Sequence, residues 1–534
     1  MRYFVIFALC AACSSSPGHH VGSGNPDLSI GSGGDDGGAK VVEEPDPTTC
    51  AEAAQIRSNV GCEYWPTVTP NTVRKDFDFA VVVANTGGAA ADVTITGGAL
   101  SAPSMTTVAP GQLAKIYLPW VPELKQDNGD ECNNPMDEAL SVRADGKAYH
   151  LVSTTPVVVY QFNALEYAGK GGPPGKDWLA CEMAAPACGQ PGCFSYTNDA
   201  SLLLPSTALT GNYRVIGWHA SYGWGNVIAI TATQDNTSVS VKLSLSSNTL
   251  AGAGVLAIPS GGTQTFNMNQ GDVVVLATAQ ISTTADLDLG GSLVKADKPI
   301  QVISADQCAS NPDQASACDH LEESVFPAET LGKHYLVAGV TGPQGQKVGQ
   351  TVRLVGNVNG TKLTYSPMVA GAPNSLQAGQ VAEIGPTDAD FEITGDHEFT
   401  VATVQQGGSV VDPGTPLLKQ RGDPSLSQLF AVEQYRRAYL FLAPDDYDEN
   451  FVDVIAPTGA MLVLDGQAVT VMPTPIGASG FAVVRIALAG GMSDAHTLTS
   501  DEPMGIQVIG YGAYTSYQYP GGGNLHSIAS PPIQ

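Results

Sequence analysis

The sequence predicts an all-β protein built from tandem β-sandwich-like units, which derive from a roughly fourfold degenerate repeat. The first observation is composition: the 534 residues include 60 glycines and 36 prolines, which interrupt helices and form turns. The second is the period-2 alternation of apolar and polar residues in short segments bounded by turn residues, a pattern typical of strands and hairpins. The third is that one order of strands and turns recurs four times along the chain.

Each copy of this repeat has three parts. A hairpin with a tight polar turn comes first, followed by a Gly-containing turn that leads into another strand. The last part is a turn marked by Pro or Asp before a strongly apolar strand. The hairpins of the four copies begin at Phe79, Val227, Val352 and Phe451. Each copy offers roughly five or six strands, which is enough for a small sandwich.

The copies and the segments between them predict the domain organisation. The predicted parts are a signal peptide (1–12), a flexible Gly/Ser/Asp tether (13–48), a first β unit with an insert (49–166), a cysteine-containing connection (167–214), and second (215–335), third (336–410) and fourth (411–534) β units.

The N-terminus indicates export. Arg2 precedes a short apolar run, and small residues then lead to Cys13 and a polar stretch, as in a bacterial lipoprotein signal. We therefore expect lipid to be attached to Cys13 and the protein to be anchored at the outer membrane or cell surface, with the tether holding the folded part away from the lipid. The alternative is ordinary cleavage in the same region, which would release the protein without an anchor.

The charge balance argues against one class of partner. The chain has 24 Lys and Arg against 51 Asp and Glu, which gives a formal net charge of −27. Such an acidic surface repels phosphate backbones, so no nucleic-acid partner is expected.

Eight cysteines follow the N-terminal pair, an even number that favours disulfides in an exported protein. Cys50 and Cys62 lie close together in the sequence and form a natural local pair, as do Cys308 and Cys318. The other four are Cys132, Cys181, Cys188 and Cys193. By elimination the first of these pairs with one of the other three, but the sequence does not choose the connectivity. A zinc site is the competing interpretation, which the lack of a C-x₂-C pair among these eight cysteines disfavours.

Five ordered motifs resemble one protein family. They are the segments 198–205, 296–299, 318–323, 422–426 and 519–522. Together they resemble the IgGFc-binding protein N-terminal domain family, over about residues 76–523. The resemblance implies an exported surface or adhesive module that binds a partner, and the family supplies no catalytic residues to transfer. It does not by itself imply that an antibody is the ligand.

No enzymatic signature stands in the sequence. The G-x-S-x-G elbow, the H-E-x-x-H helix, the Walker A loop and a phosphate-binding G-x-G-x-x-G after a strand do not occur. We therefore expect a protein that is not an enzyme and has no cofactor, although a catalytic triad assembled from distant positions is a rival interpretation.

Two acidic clusters are candidate sites. Asp319, His320 and Glu322 could converge on a metal ion or a ligand, although a disulfide-pinned loop whose side chains cap the backbone is the preferred interpretation. The second cluster is Asp445, Asp446 and Asp448. Its density of oxygen atoms suits Ca²⁺, but the EF-hand spacing is missing and a solvated acidic loop explains it better.

An aromatic loop is the remaining candidate. Trp218, Tyr222 and Trp224 lie within a Gly-containing segment before a strand, where exposed rings suit recognition of a protein or a glycan. Core packing at a strand end is the competing interpretation. The sequence as a whole predicts a surface protein that binds a protein or glycan partner in adhesion or recognition. The rival hypotheses are a structural cell-envelope protein without a soluble ligand and a secreted hydrolase.

Overall fold

The computed structural model describes residues 46–126, 138–178, 194–220, 224–279, 287–313, 317–416, 419–488 and 494–532. Strands dominate these residues, and they fall into four successive units. The predictions made for Cys13, Cys132, Cys181, Cys188, Cys193 and Tyr222 lie outside the described residues.

The strands of the first and second units follow one another along the sequence. In the first unit they are β1 (Gly61–Tyr64), β2 (Phe79–Ala84), β3 (Ala91–Gly97), β4 (Ser104–Val108), β5 (Leu113–Leu118), β6 (Val142–Ala144), β7 (Tyr149–Asn163) and β8 (Asp199–Leu203). In the second they are β9 (Asn212–Arg214), β10 (Asn226–Ala232), β11 (Thr237–Lys242), β12 (Thr263–Met268), β13 (Val273–Ala277), β14 (Leu293–Ala296), β15 (Ile300–Ala309) and β16 (Asp319–Ser324).

The third and fourth units contain the remaining strands. In the third unit they are β17 (His334–Val337), β18 (Gln350–Gly356), β19 (Thr361–Ser366), β20 (Ser375–Leu376), β21 (Val381–Thr387), β22 (Phe391–Gly395), β23 (Phe399–Gln405) and β24 (Leu426–Gln428). In the fourth they are β25 (Arg436–Leu442), β26 (Glu449–Pro457), β27 (Leu462–Leu464), β28 (Gln467–Ala468), β29 (Thr474–Pro475), β30 (Phe481–Leu488), β31 (Ala495–Gly512) and β32 (Thr515–Pro520).

Helices are short in the described residues. They comprise α1 (Cys50–Ala53), α2 (Pro122–Lys125), α3 (Gly408–Val411) and 3₁₀ turns at Ala328–Thr330 and Val432–Gln434. Thr49 starts α1 with a capping box, in which its side chain accepts from the Glu52 N–H and the Glu52 carboxylate accepts from the Thr49 N–H. None of the helices in the described part of the protein is long or apolar enough to span a bilayer.

All four units connect their strands in the same way. In the second unit, one sheet has the order β12-β11-β14-β9, and the other has the order β16-β15-β10-β13. The third unit repeats this with β20-β19-β22-β17 and β24-β23-β18-β21. In the first and fourth units, the long strands β7 and β31 pass through both sheets and take the place of two strands each. The prediction of an all-β fold made of repeated units is confirmed.

The apolar runs of the central strands have a packing reason. In β10, Ile228 and Ile230 point into the core of the second unit, whereas Val227 and Ala229 pack against the core of the first. A strand that is buried on both faces needs apolar residues at nearly every position, so strict alternation is lost.

The units are arranged like four blades around an axis, with each unit packed on the next. Separate apolar clusters join the second unit to the third and the third to the fourth. The last strands of the four units meet at the axis, where Asp199 Oδ2 accepts from the Glu322 and Leu426 N–H groups. The C-terminal segment closes the arrangement, because the Leu525 N–H donates to the Arg57 carbonyl before the first unit.

The insert of the first unit and the connection that follows this unit each contribute a strand to a neighbouring sheet, which a simple tandem array would not require. The insert supplies β6, which pairs with β13 of the second unit rather than with its own sheets. The segment 167–214 contains β8, which pairs with β7. The boundaries between units given above from the sequence therefore stay a proposal.

Both predicted local disulfides are confirmed. Cys50 is bonded to Cys62 and Cys308 to Cys318, with Cα–Cα distances of 5.7 and 5.0 Å. The second disulfide links the end of β15 to the segment just before β16.

Candidate binding cleft between the second and third units

A cleft of about 1090 Å³ separates the second and third units. On one side it is lined by Lys242 and residues 243–246, at the end of β11. On the other side it is lined by residues 378–383, which lead into β21. We call this space the binding cleft.

Two glycines bring the units together at the cleft. Gly291 and Gly379 have φ values of +80° and +75°, which L side chains rarely adopt. A Cβ atom built on Gly291 would lie 2.0 Å from the Gly379 carbonyl oxygen. The two units therefore touch backbone to backbone, and neither position leaves room for a side chain without a shift of the main chain.

A buried arginine lies behind the cleft wall and pairs with two of the carboxylates that line it. Arg353, in the middle of β18, is 0% exposed, and its Nη2 donates to Asp288 Oδ2 from the second unit. Its Nη1 lies 3.1 Å from Glu383 Oε1 on β21, and the guanidinium lies 5.3 Å from the ring centroid of Trp218. The ion pair between Arg353 and Asp288 crosses from one unit to the other and fixes their relative position.

His219 extends this ionic wall. Its Nε2 lies 2.9 Å from Asp313 Oδ1, and its Nδ1 lies 3.5 Å from Glu383 Oε1. Burial lowers the pKa of His219, but the hydrogen bonds to the two carboxylates outweigh it and raise the pKa to about 9. A pKa of about 9 favours the charged imidazole at neutral pH, with Nε2 donating to Asp313. The Arg353 Nη1 lies 3.2 Å from His219 Nδ1, closer than the Glu383 carboxylate does.

A second arginine of the cleft is placed differently. Arg214, in β9, is 7% exposed, and its Nη1 donates to the Gly291 carbonyl over 2.9 Å. Burial lowers the pKa of its guanidinium, and its Nε has no hydrogen-bond partner among the described residues. The cleft thus presents charged groups of both signs on a rigid β framework, an arrangement suited to holding a polar segment of another molecule.

The predicted aromatic residues lie behind this surface. Trp218 and Trp224 are 4% and 9% exposed, and the Trp218 Nε1 donates to the Ser310 carbonyl. The expected exposed aromatic surface is therefore not formed by these two rings, because both are packed inward. Trp218 instead supports the guanidinium of Arg353 from behind.

The Asp319, His320 and Glu322 cluster lies at the central axis and is fully buried. His320 Nδ1 is 2.8 Å from the Asp306 carbonyl oxygen, and Asp319 Oδ2 accepts from the Ser516 N–H. Burial raises the pKa of Asp319 and of Glu322. The cluster joins strands of different units.

In the acidic loop at 445–448, one carboxylate binds backbone N–H groups of the protein itself. Asp446 Oδ2 accepts from the Tyr167 and Ala168 N–H groups, and burial raises its pKa to about 6. Asp445 and Asp448 are exposed. No group of three or more His, Cys, Asp or Glu residues in the described part of the sequence is placed to hold a metal ion.

Sequence reasoning missed the cleft, because its members come from separate strands. Arg353 carried a local signal, since a charged residue interrupts the apolar run of β18. Asp288, between Leu287 and Leu289, carried a similar one. An isolated charge inside an apolar run indicates a buried ion pair, but not its partner.

Comparison with known proteins identifies a protein family that this chain matches. The family model described as IgGFc binding protein matches residues 199–510, which include all the cleft residues named above. The human IgGFc-binding protein is 28% identical over 280 residues, half of this chain but only 5% of that protein's length.

Two solved structures match this chain with low TM-scores. An anti-sigma factor domain-containing protein from Clostridium clariflavum has a TM-score of 0.11 at 11% identity, over 58% of this chain and 81% of that one. A tetra-tandem repeat from the extending region of a large adhesion protein has a TM-score of 0.10 at 10% identity, over 87% and 99%. Both scores are too low to support an argument. The family match over residues 199–510, more than half of the sequence, places this chain in the IgGFc-binding protein family.

Proposed function

We propose that this protein is an exported, non-catalytic binding protein that recognises a protein partner through the binding cleft. The observation that carries the proposal is the cleft between two β units, with Arg214, His219 and Lys242 on its walls and Arg353 buried behind them. Family membership supports a binding role, and the human relative is named for binding to IgG Fc. Because the match spans only a small part of that relative, Fc is one probe among several rather than the assumed ligand.

The anchoring part of the proposal rests on the sequence around Cys13. A tether behind an acylated cysteine would present the four units at a cell surface, where a partner on a neighbouring cell or in a matrix is accessible. Mass spectrometry of the N-terminus of the protein made in its own host tests this. A diacylglycerol-modified Cys13 is expected, and an unmodified terminus beyond that position would contradict it.

Binding is tested with arrays of extracellular proteins and of glycans, probed with the full-length protein. The matched variants are Lys242→Glu, at the cleft end of β11, and Lys362→Glu, on the corresponding strand β19 outside the cleft. Both residues are exposed lysines, so the two variants change the net charge equally.

We expect a protein signal that Lys242→Glu reduces and Lys362→Glu leaves unchanged. A signal confined to glycans would replace the protein partner with a sugar. Uniform silence would favour a structural envelope protein without a soluble ligand.

A further inference from the structure

Arg214 lacks the counter-ion that a buried guanidinium normally has. It is more than nine-tenths buried, its Nη1 bonds only to a neutral carbonyl, that of Gly291, and its Nε is unpartnered. No carboxylate among the described residues forms an ion pair with it. Buried charges in proteins are usually paired, because an unpaired charge in a poorly solvated site is costly.

Arg353, unlike Arg214, is paired with carboxylates of the protein itself. It is also buried, but Asp288 and Glu383 neutralise it from two sides. Arg353 lies behind the cleft lining and is paired with the protein's own carboxylates, whereas Arg214 lines the cleft and has no such partner.

The remaining charges of the cleft favour an anion near Arg214. Lys242 also lines the cleft and forms no ion pair with a described residue, and His219 is held in its charged form by Asp313 and Glu383. Three carboxylates also line the cleft, those of Asp288, Asp313 and Glu383. With Arg353 counted and His219 protonated, four cations oppose these three anions, so the site has a local excess of one positive charge in a protein with a net charge of −27.

We infer that the binding cleft receives a carboxylate of the protein partner, which pairs with the Arg214 guanidinium. The fork of donors on an arginine matches the two oxygens of a carboxylate. The carboxylate could belong to an Asp or Glu side chain or to the C-terminus of a polypeptide, which share this chemistry. The inference rests on the proposed function for its occupant, but its test does not need the natural partner.

The test uses the Nε–Hε resonances of the full-length protein, in which ten arginines make the spectrum tractable. Three peptide probes are titrated: acetyl-Gly-Glu-Gly-amide, acetyl-Gly-Gln-Gly-amide, and acetyl-Gly-Gln-Gly with a free C-terminus. Arg214→Lys identifies the Arg214 signal and retains the positive charge. The signal of Arg57, which is exposed and outside the cleft, is the internal control.

We expect the Arg214 signal to shift saturably with the Glu peptide or with the peptide that has a free C-terminus, but not with the Gln amide. The peptide that responds shows whether the bound carboxylate is that of a side chain or of a C-terminus. Binding to Arg214→Gln is followed by the backbone amide signals of residues 242–246 and 378–383, and it should be weaker than in the wild type by about tenfold or more, with the other nine arginine signals unchanged. Equal shifts with all three peptides, or none with any, would overturn the inference. A positive array result together with a negative titration would leave the proposed function standing and remove only this subsite.

Discussion

Arg353→Met is the sharpest test of how the cleft is held together. The side chain is fully buried, and methionine has a similar reach, so the substitution removes the charge with little change in volume. Asp288 Oδ1 still accepts from the Gly290 N–H, but its Oδ2 loses the guanidinium and keeps a negative charge in a site that is 10% exposed. The variant therefore leaves a carboxylate uncompensated between two units.

The cost follows from the degree of burial of each contact. Breaking a buried ion pair by removal of one partner costs about 3–5 kcal/mol, and loss of the contact with the Trp218 ring adds about 1 kcal/mol. The contact with Glu383 adds little, since that carboxylate is 41% exposed and solvent screens it. We expect the free energy of unfolding of the transition that includes this interface to fall by about 5 kcal/mol.

Urea unfolding followed by tryptophan fluorescence measures this change. The matched control is Arg437→Met, which breaks the exposed pair of Arg437 with Glu502 and should cost less than about 1 kcal/mol. The double variant Arg353→Met/Asp288→Asn should recover roughly half of the loss, because it removes the uncompensated charge. A single variant as stable as the wild type, or a double variant that recovers nothing, would refute the assigned pairing.

Three further predictions test other parts of the structure. Gly291→Ala should destabilise the protein by about 3 kcal/mol in urea unfolding, because its Cβ would meet a backbone oxygen. The control is Gly360→Ala, a position that also has a positive φ but open space around it, and it should cost only about 1 kcal/mol. Equal losses in the two variants would argue against the close contact at Gly291. Burial raises the pKa of Asp453 from its ordinary value of 3.8 to about 6, so the stability that its neutral form provides is complete below about pH 4 and is lost as the pH rises through 6. Asp453→Asn should reduce this loss of unfolding free energy between about pH 4 and pH 7 by about 3 kcal/mol. The same dependence of the unfolding free energy on pH in the wild type and the variant would contradict this prediction. Replacing Cys308 and Cys318 by serine should cost about 2–4 kcal/mol by release of a short loop, and an unchanged urea midpoint would show that the disulfide does not stabilise the fold.

The fold could be predicted from the sequence because its repeat consists of strands and turns that residues close together in the sequence identify. In the hairpin of β10 and β11, an apolar run is followed by a turn at Asp235 and Asn236 and by the alternating strand β11. A local signal of this kind needs no knowledge of the rest of the sequence. The first and last strands of each unit were harder to recognise. β9 and β24 have only three residues each, too few for a period, so the sequence predicts fewer strands for each unit than the structure contains.

The cleft could not be predicted for a different reason. Asp288 and Arg353 are 65 residues apart and belong to different units, so their pairing depends on how the units pack. The inward packing of Trp218 follows from the same contact, because its ring lies against Arg353. Composition marks such residues as candidates but does not show whether they face a partner or each other.

Hydrogen–deuterium exchange of the full-length protein, with and without the partner found on the arrays, tests most directly whether this cleft is where a partner binds. The account predicts that exchange slows in residues 242–246 and 378–383, which line the cleft from its two sides. Residues 467–475 of the fourth unit should exchange equally in both samples. Slowed exchange in that segment, with no change at the cleft, would contradict the account.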